Sequence, residues 1–127
     1  IRTQLYGDVT LDDVRGSFQS CAKLLSACSR NPIHFFHDWQ GISTYPTSSP
    51  QLHNVIVPYI TEDKYRVGWV VAYGNFNQQP TLASIGRFFF GSLNLKLQIT
   101  SDLSTALDFI QTVDPDLVDI IHDWQTG

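Results

Sequence analysis

The seven residues Ile33 to Trp39, IHFFHDW, constrain this chain more than any other stretch. Ile33, Phe35, Phe36 and Trp39 fall at both odd and even positions, so a strand made of them suits burial on both faces, as inside a largely parallel sheet. Pro32 releases the chain from what precedes, and Gly41 is expected to end the strand. After a polar loop, Ser49 offers an N-cap side chain and Pro50 a first helical residue. The helix they open carries Leu52, Val55, Ile56 and Tyr59, and Pro58 is expected to end or kink it. A strand–loop–helix junction of this kind leaves free backbone N–H groups in a crevice, where α/β proteins commonly bind.

The remaining chain repeats the pattern. Arg2 to Tyr6 alternates as a short strand stopped at Gly7-Asp8. Thr10 and Asp13 form a capping box before Leu11, Val14, Phe18, Cys21, Ala22, Leu25 and Cys28 at helical spacing. Thr61 to Tyr65 reads as a connection, and Arg66 to Tyr73 as a second buried strand closed by Gly74. Pro80 opens a third helix with Leu82, Ile85, Phe88 and Phe89 inward and Gly91 just past its end. Leu95 to Ile99 alternates as a strand with a wetter face. Ser101 or Asp102 then caps a helix over Leu103, Ala106, Leu107 and Ile110. Asp114-Pro115 starts a last segment with Leu117, Ile120, Ile121 and Trp124 on one stripe. Strand and helix thus alternate, which implies one α/β domain with a mixed, largely parallel sheet and about four to five helices.

Composition narrows the function. At 127 residues, 43% apolar, the chain can fill one core. With 12 acidic against 8 basic residues and no basic cluster, it lacks the footprint of a nucleic-acid binder. No apolar run reaches the ~18 residues of a membrane span, and IRTQLYG is not a signal peptide. A start at Ile1 with no Met implies a trimmed chain. Cys21 and Cys28 on one helix would stand roughly 10 Å apart, too far for a disulfide. Reduced core thiols and a cytoplasmic location are therefore expected.

Candidate chemistry is sparse. Asp38 sits where a receiver domain carries its phosphoacceptor, but Asp8 stands alone and Thr100-Ser101 replaces the required Lys, so Asp38 reads as a solvated strand-end carboxylate. His34 and His37, three apart on a strand, point to opposite faces, and no metal-ligand spacing joins them. The HDWQ of His37–Gln40 recurs at His122–Gln125, once on a strand and once on a helix. Neither a nucleophile motif nor a phosphate-binding fingerprint is present, so no catalytic residue, metal or cofactor is expected.

LYGDVTLDDV, HFFHDWQGIS, the Thr-Ser-Ser before a helix, GWVVAYG and LKLQITSDLSTALDFI together resemble STAS domains of the SpoIIAA type, the anti-sigma-factor antagonists. In that family Asp-Ser-Ser-Gly follows a strand, and a partner kinase phosphorylates its second Ser. The matching residues are Thr47, Ser48, Ser49 and Pro50, so Ser49 falls at the phosphoacceptor position, with Thr in place of Asp and Pro in place of Gly. The resemblance implies a STAS-like domain over residues 1–113, degenerate at the phosphorylation motif. Residues 114–127 then add an amphipathic helix that either completes the domain or docks on a partner, with Trp124 as anchor.

The expected function is a non-catalytic regulatory module that binds a protein partner, as a subunit of a larger complex, through Gly41, Thr44, Tyr45, Thr47, Gln51, Leu52 and Trp124. The alternative is a small-ligand or anion site between the loops Gly41 to Ser49 and Gly74 to Pro80.

Overall fold

Among the described residues four strands alternate with helices, and a fifth α-helix closes the order: β1 (Arg2–Asp8), α1 (Leu11–Ala27), β2 (Ile33–Thr44), α2 (Ser49–Ile60), β3 (Val67–Tyr73), α3 (Pro80–Ser92), β4 (Lys96–Thr100), α4 (Leu103–Val113) and α5 (Val118–Thr126). A 3-10 turn, Pro115–Leu117, joins the last two. The computed structural model describes residues 1–60 and 66–126; the expected connection Thr61 to Tyr65 lies outside them. All strands run parallel in the order β1-β2-β3-β4. A chain that steps one way across a sheet with one hand of crossover lays each crossover helix on the same face. Helices α1, α2 and α3 accordingly share one core with Phe35, Trp39, Val70 and Ala72 of the sheet, through Val14, Cys21, Leu52, Ile56, Leu82, Phe89 and Phe90.

Past β4, α4 and α5 follow and lie over the other face. There Ala106, Leu107, Ile110 and Ile121 pack on Phe36, Val71 and Tyr73. The C-terminal stripe therefore folds back at home: Ile121 is 2% exposed, and Trp124 lies 5.2 Å from Phe36, ring to ring. Ile120 leaves the expected stripe and faces out, because the helix begins at Val118 after the 3-10 turn and sets its own phase. No helix among the described residues is long and apolar enough to cross a membrane.

Several boundaries shift for local reasons. Gly41 does not end β2; it lies in a bulge opposite Tyr6, where a Cβ would come 3.0 Å from that of Tyr6. Glycine here admits a close strand crossing. Gly7 has open space around it and serves differently, supplying the left-handed backbone, φ 70°, at the second irregularity of β1, which runs on to Asp8. Pro58 is carried inside α2. Helix α3 continues through Gly91, and its reversal falls on Asn94, at φ 57°, a residue that tolerates the left-handed region. Phe88 is exposed, and Ala83, Gly86 and Phe90 take the inner face with Leu82 and Phe89. Thr10 and Asp13 form the expected capping box, and Asp102 caps α4. Cys21 is buried, and its thiol is pushed up to about 11 by burial, whereas Cys28 is exposed at the helix end and is no core thiol.

Candidate functional site

Strand β2 sorts its polar residues by face. His34, Phe36 and Asp38 point toward α4 and α5; Phe35, His37 and Trp39 point toward α1, α2 and α3. The ring of His34 is held at both nitrogens. Nδ1 accepts the backbone N–H of Trp69 at 2.9 Å, which leaves the proton on Nε2, 3.1 Å from the Asp114 carboxylate. Arg30 donates to the same carboxylate at 2.8 Å, and this guanidinium holds the Asp114 carboxyl below its usual range. An Asp–His pair invites a catalytic reading, but this imidazole has no free nitrogen with which to take a proton. It braces the junction between α4 and the 3-10 turn against the sheet.

His37 is buried among aromatic rings. Trp39, Phe35 and Phe90 stack on it at 5.7, 6.1 and 6.1 Å between centroids, and its Nδ1 meets the hydroxyl of Thr3. Burial pulls the imidazole down to about 4, against about 6.5 in an unfolded chain. Between those values the unfolded chain binds a proton that the folded one refuses, so stability must fall as the pH falls. About 3 kcal/mol is expected to be lost between pH 6.5 and 4 from His37 alone, and no more from it below 4. Burial of His34 acts in the same direction, while the contribution of Asp114 disappears only lower, as the carboxylate protonates. Urea unfolding across this range checks the loss, and an imidazole NMR midpoint near 6.5 for His37 would contradict it.

Asp38 is not the solvated strand-end carboxylate expected; it is 7% exposed in the interior of a longer β2. It accepts from the Gln4 amide at 3.3 Å and the Gln40 backbone N–H at 3.0 Å, and from the hydroxyl of Tyr73, whose phenol is pushed up to about 12 by burial and by that bond. Gln4, Asp38, Tyr73 and Thr100 are cross-strand neighbours, forming one polar row over all four strands. Arg2 also bonds Tyr73 and lies 5.2 Å from the Trp124 ring.

Beyond this row a corner of the sheet is exposed among the described residues. Gln4, Tyr6 and Asp8 of β1 and Gln40, Gly41, Ser43 and Thr44 of β2 are all exposed, Tyr6 to 72%. Thr44 donates to Asp8 at 2.8 Å and ties the two strand ends. The alternation of Arg2 to Tyr6 was visible in the sequence, but nothing there said that the face of Gln4 and Tyr6 would be exposed.

The expected binding residues do not form one surface. Gly41, Thr44, Thr47 and Gln51 are exposed. Leu52, however, is 6% exposed in the α1–α3 core, where helical phase turns it inward, and half-buried Tyr45 faces the same side. Trp124 lies across the sheet from both, spent on Phe36 and Arg2. The N-cap is Ser48, not Ser49: its carbonyl accepts Leu52 N–H at 3.0 Å and its hydroxyl Gln51 N–H at 3.4 Å. Ser49 is the first helical residue and Pro50 the second. Ser48→Ala is expected to cost about 1 kcal/mol in thermal unfolding and Ser49→Asp almost nothing, since an acid suits a first helical turn. The two loops of the alternative ligand site are bridged by Gln79, which donates to the Ile42 carbonyl at 2.9 Å, and by Phe76 against Trp39. Among the described residues no cluster of three or more His, Cys, Asp or Glu could hold a metal ion.

Searches against protein-family models, curated proteins and solved structures find no match.

Proposed function

We propose that this chain is a non-catalytic, STAS-like regulatory module of the cytoplasm that binds a protein partner through the uncovered corner of its sheet. One observation supports this reading above the others. Parallel sheets are ordinarily covered on both faces, yet here Tyr6, 72% exposed, stands amid Gln4, Asp8, Gln40, Gly41 and Thr44 with no helix among the described residues over it. Tyrosine combines a large apolar ring with a hydroxyl and is a frequent interface anchor, and the polar groups around it suit a rim. The polar side chains inward of it are engaged with one another, which favours recognition over chemistry. The Tyr45–Ser48 connection continues directly from this corner, so a charge added at Ser48 or Ser49 would lie in sequence beside it.

The test is site-specific photocrosslinking in the native cell, with benzoylphenylalanine at Tyr6 and, as control, at exposed Phe88 on the other side. A single chain crosslinked from Tyr6 alone is expected. Tyr6→Ala should weaken binding of that purified chain about thirtyfold with unchanged melting. Diffuse crosslinks, or undiminished affinity in the Tyr6→Ala variant, would overturn the reading.

A further inference from the structure

A cavity of about 70 Å³ lies between the sheet and helices α1, α2 and α3, lined by Phe18, His37, Trp39, Ile85 and Phe90 among others. A water needs about 10–15 Å³ of such space, so this one has room for roughly five, the bulk of one six-membered ring. Phe18, Tyr45 and Ile85 on its wall are only half-buried, so it communicates with solvent. Among the described residues His37 is the one fully buried polar side chain lining it. Its Nδ1 is engaged by Thr3, while Nε2 makes no hydrogen bond among the described residues. No sealed polar side-chain atom among them lacks a partner, so Nε2 is reached from the cavity.

We propose that this cavity is a binding site for a small, neutral aromatic alcohol whose hydroxyl hydrogen-bonds His37 Nε2. The rings of His37, Trp39 and Phe90 lie within 13 to 22° of parallel, and a wall built from such a stack suits a flat ring. Among the described residues no Asp, Glu, Lys or Arg lines the space, so a charged ligand would lose its hydration without a counter-charge. The Thr3 hydroxyl either donates to or accepts from Nδ1, which allows both imidazole tautomers, and a ligand hydroxyl can answer either one. This site lies on the opposite face of the sheet from the Tyr6 corner, so the two readings stand or fall separately.

Phenol and benzene are the probes, titrated into the isotope-labelled chain and followed by NMR. Phenol is expected to bind saturably, with nuclear Overhauser contacts to the His37 and Phe90 rings, a shift of the His37 Nε2 signal, and an affinity about tenfold above that of benzene. Ile85→Trp should fill the space and reduce phenol binding more than tenfold. Where that variant fails to fold, the phenol-to-benzene ratio and the contacts in the unaltered chain decide. Lack of saturation, contacts elsewhere, or equal affinity for the two probes would overturn the site.

Discussion

A chain ending at Val113 is expected to lose its cooperative thermal transition. The deletion takes Ile121, 2% exposed, and the partly buried Leu117 and Trp124 from the core on Phe36 and Val71. At about 1.5–3 kcal/mol per buried apolar side chain, these three contribute roughly 5 kcal/mol. It also removes Asp114, leaving His34 with a buried N–H and no acceptor and Arg30 without its carboxylate. A domain of this size holds about 5–15 kcal/mol of stability in all, so the combined loss is comparable with the whole. Calorimetry and far-UV circular dichroism read the outcome directly. A truncated chain that still melts cooperatively within a few degrees of the parent would show that α5 lies on the domain without belonging to its core.

Gly68→Ala is expected to cost about 4 kcal/mol, a large effect for one methyl group. A Cβ at Gly68 would stand 2.5 Å from Cε1 and 2.6 Å from Nδ1 of His34. The ring cannot swing aside cheaply, because Trp69 N–H holds one nitrogen and Asp114 the other. The cost combines overpacking, about 1–3 kcal/mol, with the loss of two buried hydrogen bonds at about 1 kcal/mol each. Denaturant unfolding measures it. Adding His34→Ala to Gly68→Ala should return part of the lost stability by removing the clash, so the two substitutions are expected to be non-additive. Additive losses would show that the glycine serves backbone conformation and not the approach of the ring.

Glycine carried most of the positional error in reading the sequence. Gly41 and Gly91 looked like stops, and both lie inside elements, whereas α2 ends at Ile60, close to Pro58, where an end or a kink was expected. Gly41 answers to a cross-strand neighbour, Tyr6, that no local pattern reveals. Ser49 and Ser48 are adjacent residues of one type, and which of them caps depends on where the chain enters the helix. Asp38 looked solvated because its strand was taken to end early; in the longer strand, cross-strand and bulge partners surround it.

The sequence alone determined the strand–helix alternation, the opposite facing of His34 and His37, the capping box of Thr10 and Asp13, and the apolar stripe that became α5. These rest on periods of two and 3.6 residues and on local backbone bonding, which a chain carries wherever it folds. Only the tertiary structure decided that α5 covers part of one sheet face and leaves the Tyr6 corner bare, that His34 locks over Gly68 to Asp114, and that His37 lines a cavity. Such facts depend on which elements meet across 30 to 80 intervening residues. Local propensity carries no information about those meetings; they are set by how three helices on one face and two on the other share the burial of a single sheet.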